Sequence, residues 1–585
     1  MGSYTKTIVS IAFLMAGSFL TLASQTNMFI SNPEAFRILQ GDYNPADYRR
    51  PGLIEDAASV RMGIIQGVDS KEQVGLLRTL ETFYNRNSGS DTLSNTTGIG
   101  ACRTWILAHF DQVNKQSGGR LVTGYLEFDA DICTKGHHKN PFILIPGTDT
   151  SARDIILVEG HFDTRNEDRC DNQGFTPGIE DNGSGTILIM ELARVLSNYA
   201  FKHTILLTTP TGEDQGLWGA KAWAGYLSGL GVGIRAVLNN DIVGGIYCGK
   251  TSPGPSCPYY GHIDSTHVRI FSYSAANSYT ANSAHKQLAR YMKYIQDTKI
   301  NPYLDTKLII NIMAGEDRDG RGGDHTPFRQ KGYTAVRIIS ANEHGNGTGT
   351  FPDRNHSTRD MVGKDIDGDG NLDSLYINPG YLGRNTILNG VVAAILASAP
   401  EKLKPTVTPG FSGATIDFTG IPAEVDEILV GIRYYKSRSF NFDTLYTLRK
   451  ADHLEIPLDP GQRSYVSVAP VSNGVPGLFS SEYEVNLTGT DEKTPAASAH
   501  LMRNYPNPWN QTTTIEFQSD EGLYADGAVI EVHDLLGRLV HKKVFDLVPG
   551  MNEITLQAGQ MDPGIYSCVL KSAGRDDERI IMVKK

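Results

Sequence analysis

An α/β fold with a mostly parallel sheet and helices on both faces, followed by two β-sandwich domains, is the architecture that this 585-residue sequence predicts. Apolar runs at 154–158, 203–208 and 234–238 have the length of buried strands. The segments 183–196 and 217–227 carry apolar residues at three-to-four spacing, which is typical of helices. Strands that alternate with helices predict a largely parallel sheet, in which ligands collect at the carboxyl ends of the strands.

The N-terminus and the charge of the chain exclude two classes of function. Residues 1–25 contain Lys6, an apolar stretch at 8–22 and the small pair Ala23-Ser24, a pattern that predicts a signal peptide rather than a membrane-spanning helix. The net charge of −11 and the absence of a basic patch argue against a nucleic-acid partner. No later stretch is apolar enough to span a membrane.

The polar residues that follow the predicted strands have the composition of a two-metal hydrolytic centre. The candidate ligands are His161, Asp181, Asp214, Asp241 and, much later, His356. Imidazole and carboxylate suit zinc, and three aspartates with one hydroxide balance two divalent ions. Asp181 is expected to bridge the ions, as carboxylates do in paired sites. Glu213 then has no metal and is the candidate general base, while Asp163, two residues beyond His161, is expected to orient that imidazole.

These residues also carry a family resemblance. The segments HFDT, GIEDNGSG, TGEDQGLWGA, LNNDIVG and NHSTRD resemble, in order, the landmarks of the co-catalytic zinc peptidases of clan MH, family 28, over roughly residues 75–400. The resemblance implies a secreted aminopeptidase in which one zinc is held by His161, Asp181 and Asp241. It implies that the other zinc is held by Asp181, Asp214 and His356, with Glu213 as base.

The sequence departs from the family pattern at two points. Asp214 stands where the family usually has Glu, a shorter arm that shifts the second metal or weakens its hold. The segment 317–325 lacks the tyrosine that helps some members to stabilise the oxyanion, so the oxyanion donor stays open. His325, in the same segment, is expected to have a substrate-side or structural role because the family pattern gives the last ligand position to His356.

Three other functions remain as alternatives to an aminopeptidase. A glutaminyl cyclase resembles this scaffold but uses a single zinc, and those enzymes tend to have tryptophan before the last ligand histidine. Asn355 occupies that position here, which favours hydrolysis. A carboxypeptidase of the same family would use the same metal centre. An inert surface-binding protein is the alternative from another class, and the complete ligand set counts against it.

Six cysteines in an exported chain predict disulfides. Cys248 and Cys257 flank a Gly/Pro/Ser loop and form the first expected pair, and Cys102 with Cys133 forms the second. Cys170 lies between two candidate ligands and could instead be a zinc ligand or a free thiol. Cys568 stands alone, far downstream.

An acidic segment near the end of the catalytic unit has a partial calcium-loop pattern. Asp365, Asp367, Asp369 and Asp373 occupy positions 1, 3, 5 and 9, with glycine at position 6. Tyr376 stands where the bidentate glutamate of such loops belongs. The segment therefore predicts either a calcium site or a solvated acidic loop, before a closing helix at 385–397.

The expected organisation is a signal peptide at 1–25, a catalytic domain at 26–400, a sandwich at 404–488, a linker at 489–499 and a last domain at 500–585. Residues 458–465 resemble the tyrosine corner of fibronectin type III domains. The last domain contains NYPNPW, VHDLLG, PGMN and PGIY and resembles the C-terminal sorting domain of the type IX secretion system. That resemblance implies that the secretion machinery is a partner, and that the protein is secreted or attached to the outer cell surface.

Overall fold

The computed structural model describes residues 26–249, 257–259, 261–275, 282–318, 320–343, 354–369, 372–410, 413–459, 462–487, 499–519, 525–547, 550–557, 559, 561–571 and 578–585. The predicted signal peptide at 1–25 and nearly all of the predicted linker at 489–499 lie outside these residues. Among the described residues, no helix combines the length and the hydropathy needed to cross a membrane.

A nine-stranded sheet organises the N-terminal part of the described chain. Its strands are β1 (Thr26–Ile30), β2 (Val122–Ile132), β3 (Lys135–Ile145), β4 (Ile155–Glu159), β5 (Ile205–Thr208), β6 (Ile234–Asn240), β7 (His267–Ser272), β8 (Ile309–Ile312) and β9 (Ala335–Ser340), in the spatial order β1-β2-β3-β5-β4-β6-β9-β7-β8. The central strands β5, β4, β6 and β9 are parallel. Strands β1, β2 and β3 pair antiparallel, so the sheet is mixed, with a parallel centre.

Helices cover both faces of this sheet, as the sequence predicts. They are α1 (Pro33–Leu39), α2 (Ala57–Gly67), α3 (Ser70–Glu81), α4 (Gly98–Gln116), α5 (Ser184–Leu196), α6 (Trp218–Gly229), α7 (Ala284–Ile295), α8 (His325–Gln330) and α9 (Pro379–Ser398). Alternate residues of β4 belong to different apolar clusters: Ile156 and Val158 pack with α5 and α9, whereas Ile155 and Leu157 pack with α1 and α6. Continuous apolar runs are therefore required in the central strands, and the predicted α/β class is confirmed.

A short hairpin and a β-sandwich follow. The hairpin is β10 (Gly363–Lys364) with β11 (Ser374–Leu375). The sandwich strands are β12 (Pro405–Pro409), β13 (Gly413–Phe418), β14 (Glu427–Tyr434), β15 (Thr444–Arg449), β16 (His453–Pro457), β17 (Ser464–Ser472), β18 (Val475–Pro476) and β19 (Tyr483–Val485). They form a three-stranded and a five-stranded antiparallel sheet around one apolar cluster. The resemblance to fibronectin type III domains stays a prediction.

The sandwich shares its core with the large sheet. Leu429, Ala469, Val471, Val475 and Phe479 belong to the same apolar cluster as the helices behind the large sheet. Helix α7 adds buried polar contacts, which include an ion pair of 3.2 Å between Arg290 Nη1 and Glu482 Oε1 and a hydrogen bond from the Tyr291 hydroxyl to the carbonyl of Pro476. The two units are therefore packed as one body.

The C-terminal region forms a second, smaller sandwich. Its strands are β20 (Ala499–Tyr505), β21 (Thr512–Ser519), β22 (Ala525–Asp534), β23 (Leu539–Leu547), β24 (Gly550–Gln557), β25 (Gly564–Lys571) and β26 (Glu578–Lys584). They make a three-stranded and a four-stranded antiparallel sheet with their own apolar cluster around the buried Trp509. Contact with the first sandwich is limited: Ile565 and Val583 pack against its core.

Candidate metal centre

The carboxyl ends of three neighbouring parallel strands deliver most of the predicted site residues. β4 ends at Glu159, just before His161, and β6 ends at Asn240, just before Asp241. Glu213 and Asp214 follow β5 by a short loop. Because β5, β4 and β6 are adjacent and parallel, these side chains meet at one edge of the sheet, as ligand sites do in such folds.

Asp181 reaches the same edge from the segment Ile179–Gly183, which leads into helix α5. The Asn182 side chain ties this segment to the Asp241 segment, since its amide nitrogen donates to the carbonyl of Asn240 and its oxygen accepts from the backbone N–H of Ile242. Gly185 allows this approach because a Cβ there would lie 2.4 Å from the carbonyl oxygen of Asn240. The contacts of Asn182 therefore hold the segment of Asp181 against the segment of Asp241.

The loop after β9 brings in His356 through Asp360. The Asp360 carboxylate accepts hydrogen bonds from the backbone N–H groups of Glu180 and Asp181, at 2.8 and 3.0 Å. Asp360 lies four residues after His356 in the segment that resembles the last family landmark. One loop thus fixes His356 and the backbone of Asp181 together.

Asp181 faces both histidines, one with each carboxylate oxygen. Its Oδ1 lies 3.5 Å from His161 Nε2, and its Oδ2 lies 2.9 Å from His356 Nε2. Asp241 Oδ1 is 3.7 Å from His161 Nε2, and Asp214 Oδ1 is 3.2 Å from His356 Nε2. The shorter arm of Asp214 therefore still reaches the second histidine.

The spacings of the donor atoms are compatible with zinc ligation, and the ligand-like groups of the described residues include Asp181, Asp214 and His356 as well as His161, Glu213 and Asp241. A zinc ion with ligands at about 2.0 to 2.2 Å separates its ligand atoms by about 3.3 to 3.6 Å, close to the spacings above. Three buried atoms of the cluster, His161 Nε2, Asp241 Oδ1 and Asp214 Oδ2, have no hydrogen-bond partner among the described residues. Buried polar atoms are rarely left without a partner, and metal ligation would satisfy all three.

The electrostatics of the cluster also indicate that a cation belongs there. Burial lowers the pKa of His356, but the carboxylates of Asp181 and Asp214 more than reverse this and raise it to about 10. Burial raises the pKa of Glu213 to about 8, and the carboxylates of Asp241 and Asp214 add to that effect. A cluster of carboxylates that draws protons onto its neighbours is the environment in which a divalent ion is bound.

Asp163 connects the first histidine with the Glu213 loop. Its Oδ1 lies 3.4 Å from His161 Nδ1. The same carboxylate accepts from the backbone N–H groups of Glu213 and Asp214, at 3.2 and 3.3 Å. Glu213 Oε2 is 3.9 Å from His161 Nε2, and the Glu213 side chain is 12% exposed, so it is the site carboxylate that opens most toward solvent.

Two arginines that the sequence did not single out hold metal-site aspartates. Arg337, buried in β9, donates from Nη2 to Asp241 Oδ2 at 2.6 Å and from Nη1 to Asp317 Oδ2 at 2.5 Å. Arg165 donates from Nε to Asp214 Oδ1 at 3.1 Å. An arginine in the middle of an apolar strand was the available signal, because such a charge needs a buried partner.

His325 lies away from the candidate metal ligands. It is buried at the start of α8, where its Nε2 lies 3.1 Å from the carbonyl oxygen of Glu316, and it does not line the cavity above the metal-site residues.

The disulfides agree with one of the two predicted pairs. Cys248 is bonded to Cys257, as predicted. The predicted pair of Cys102 with Cys133 is wrong, because Cys133 is bonded to Cys170 and Cys102 is buried in helix α4. Cys170 is therefore neither a zinc ligand nor a free thiol. Its disulfide anchors the segment that carries Arg165 to the turn between β2 and β3.

The acidic segment brings three of its four predicted residues together. Oxygens of Asp365, Asp367 and Asp373 lie within 4.8 Å of one another, whereas Asp369 is not part of that group. Asp365 and Asp373 also accept backbone hydrogen bonds within the loop, from Gly368 and Ile366.

The chain is similar to several known proteins. Residues 142–372 match the model of peptidase family M28. A probable zinc metalloprotease of Pyrenophora tritici-repentis is 30% identical over 288 residues, which are 46% of this chain and 62% of that protein. A second probable zinc metalloprotease, from Leptosphaeria maculans, is 30% identical over 311 residues, which are 50% of this chain and 68% of that protein. The chain thus spans about three fifths to two thirds of the length of these relatives.

Solved structures with a similar arrangement include the LapA aminopeptidase of Legionella pneumophila, at 18% identity over 60% of this chain and 77% of that one, with a TM-score of 0.41. Glutaminyl cyclase of Porphyromonas gingivalis is 16% identical over 56% of this chain and 98% of that one, with a TM-score of 0.37.

The tail and the catalytic part each match a family that their motifs predict. Residues 503–584 match the secretion system C-terminal sorting domain, which confirms the predicted tail and a secreted or cell-surface location. For the larger part, the ordered motifs, the family model and the relatives agree: the chain belongs to peptidase family M28.

Proposed function

We propose that the protein is a secreted di-zinc aminopeptidase that removes N-terminal residues from peptides. The observation that carries the proposal is the position of Asp181, whose two oxygens face His161 at 3.5 Å and His356 at 2.9 Å. A carboxylate shared in this way is the usual bridge of paired metal ions. One zinc would be held by His161, Asp181 and Asp241, and the other by Asp181, Asp214 and His356.

Bound zinc supplies Lewis acidity, which polarises a scissile carbonyl and lowers the pKa of water. The chain's own residues would handle the proton. Glu213 holds no place in either ligand set and opens toward the cavity, so its Oε2 would accept a proton from the attacking water and donate it to the leaving amine. Asp163 would position both His161 and Glu213, since its carboxylate contacts His161 Nδ1 and the backbone N–H of Glu213.

The size of the cavity favours an exopeptidase. It has a volume of about 260 Å³ and lies directly over Asp181, Glu213, Asp214 and Asp241. Ligand pockets usually measure about 300 to 1,000 Å³, so a cavity below that range suits one or two residues rather than a long peptide.

We also propose that the loop at 365–373 binds calcium through Asp365, Asp367 and Asp373, whose carboxylates converge. Calcium takes carboxylate oxygens in flexible loops of this kind. A calcium titration followed by calorimetry tests this, with D367N as the variant that should abolish the heat of binding. Absence of binding at millimolar calcium would leave the alternative of a solvated acidic loop.

Hydrolysis is tested by incubating the purified protein with peptides that have a free N-terminus, a blocked N-terminus or an N-terminal glutamine, and by identifying the products by mass. Release of the first residue from the free peptide alone supports the proposal. Loss of the last residue from the blocked peptide would indicate a carboxypeptidase, and cyclisation of the glutamine peptide by a protein with one zinc would indicate a glutaminyl cyclase. If all three peptides stay unchanged although the protein has zinc bound, the result would indicate an inert surface protein.

A further inference from the structure

The cavity above the metal-site residues is lined by an unusual number of arginines. They are Arg165, Arg169, Arg318, Arg321 and Arg337. Among the lining residues that the structure describes, Leu217 and Ile242 alone carry aliphatic side chains. An aminopeptidase that selects apolar residues needs an apolar pocket, so this lining predicts a different substrate side chain.

Three of the five arginines have anionic partners. Arg165 is bound to Asp214, and Arg337 to Asp241 and Asp317. Arg318 is bound to Asp317 and to Glu343. The side chains of these three arginines are therefore already paired with carboxylates of the protein.

Arg169 and Arg321 differ from the other three. Both are exposed, and neither forms an ion pair with any other described residue. The backbone of Arg169 is nevertheless fixed: its carbonyl accepts a hydrogen bond of 2.9 Å from Asn87 Nδ2, and the next residue, Cys170, is in a disulfide. The backbone N–H of Arg321 donates to the carbonyl of Arg318 at 3.0 Å. The backbone contacts thus place two exposed cationic residues at the rim of the cavity.

The charge balance leaves these two cations available to a ligand. The five lining arginines already outnumber the four lining carboxylates, Asp181, Glu213, Asp214 and Asp241, and the two zinc ions of the proposed function would add four positive charges. Clefts lined by one sign of charge concentrate ligands of the opposite sign, and guanidinium matches carboxylate in geometry. We propose that Arg169 and Arg321 select peptides that present a carboxylate beside the scissile bond. This carboxylate is either the side chain of an acidic residue or the C-terminal carboxylate of a dipeptide.

The inference rests on the proposed peptidase function, so its test must not depend on turnover. Suitable probes are dipeptides in which the peptide bond is replaced by a non-hydrolysable CH2–NH link, with binding to the zinc-loaded protein measured by calorimetry. Four probes separate the sources of the carboxylate: Glu-Ala amide, Leu-Ala amide, Ala-Ala with a free carboxylate and Ala-Ala amide, each with the reduced link.

We expect the wild-type protein to bind at least one of the two carboxylate probes about tenfold more tightly than its neutral partner. The variants R169Q and R321Q should each lose roughly fivefold in affinity for that probe and keep their affinity for the neutral one, because an exposed charge pair contributes little beyond this. R321K should keep most of the preference. R153Q is the matched control, since Arg153 is exposed and lies just before β4, at the amino end of the strand and away from the cavity.

Equal binding of charged and neutral probes in both pairs, or tighter binding of the neutral probe in both pairs, would overturn the inference. So would a carboxylate preference that survives in the R169Q/R321Q double variant. If zinc-loaded protein hydrolyses no peptide but shows the preference and loses it in the double variant, the proposed peptidase function fails while carboxylate recognition stands. Thermal unfolding of each variant confirms that it is folded.

Discussion

Replacing Arg337 with methionine should weaken one metal site selectively. The guanidinium is 2% exposed and neutralises Asp241 and Asp317, themselves 3% and 4% exposed. Removing one partner from a buried ion pair costs about 3 to 5 kcal/mol, so the free energy of unfolding of the zinc-free protein should fall by about that amount. Groups that orient metal ligands typically change metal affinity by about 10- to 100-fold.

The measurement is zinc affinity by competition with a chromophoric chelator, together with denaturant unfolding of the zinc-free protein. We expect one of two zinc ions to bind about 10- to 100-fold more weakly, because Asp241 loses the partner that aims its Oδ1 at His161.

The matched control is Arg433→Met. Arg433 is also about 1% exposed and paired with a buried carboxylate, Glu482, but it lies in the first sandwich. It should cost similar stability and leave both zinc affinities unchanged. Equal zinc affinities in the two variants would refute the role of Arg337 in positioning Asp241.

Four further outcomes are expected. Glu213→Gln should keep two zinc ions and lower kcat by roughly 10²- to 10⁴-fold, about 3 to 5 kcal/mol of barrier, so normal turnover at normal zinc content would exclude Glu213 as the base. Asp181→Asn should weaken the binding of both zinc ions, whereas His356→Ala should leave the binding of the ion beside His161 unchanged. The zinc content of each variant after dialysis distinguishes these outcomes. Truncation within 488–498 should leave a folded, active enzyme that no longer reaches the medium or the cell surface, which fractionation of a host with type IX secretion would detect. Acidification from pH 6.5 to 4 should destabilise the fold, because burial, and then Arg235, lowers the pKa of His203 to about 4. The unfolded chain binds that proton near pH 6.5, so the free energy of unfolding should fall by up to about 3 kcal/mol as the pH drops through this window. Denaturation at several pH values measures this slope, which His203→Gln should flatten.

The site residues that the sequence predicted are those that directly follow or precede a recognisable strand or helix pattern. His161 and Asp241 each follow a short apolar run of strand length, and the adjacency of β4 and β6 in the structure brings the two residues together at the carboxyl ends of the strands. Asp181 precedes a helix whose pattern is equally plain.

The parts that escaped prediction depend on partners distant in sequence. Arg337 resembles any charged residue in a strand until Asp241, 96 positions earlier, is seen beside it. The Cys133–Cys170 pair joins a hairpin turn to a loop after another strand, a geometry that cysteine spacing does not reveal. Likewise, the antiparallel strands β1, β2 and β3 precede the βα units, and the predicted sheet did not include them.

The disulfide between Cys133 and Cys170, at the rim of the cavity, is expected to form in a different compartment from the one in which the chain is made. Thiols stay reduced in the cytoplasm of most cells and oxidise outside it. The covalent link between the segment with Arg165 and Arg169 and the β2–β3 turn is therefore expected to form only after the chain has left the compartment of its synthesis. In newly made protein this wall of the cavity would be held by non-covalent contacts such as those of Asn87 and Arg165, and the covalent link would be added in the surroundings where the protein is to act.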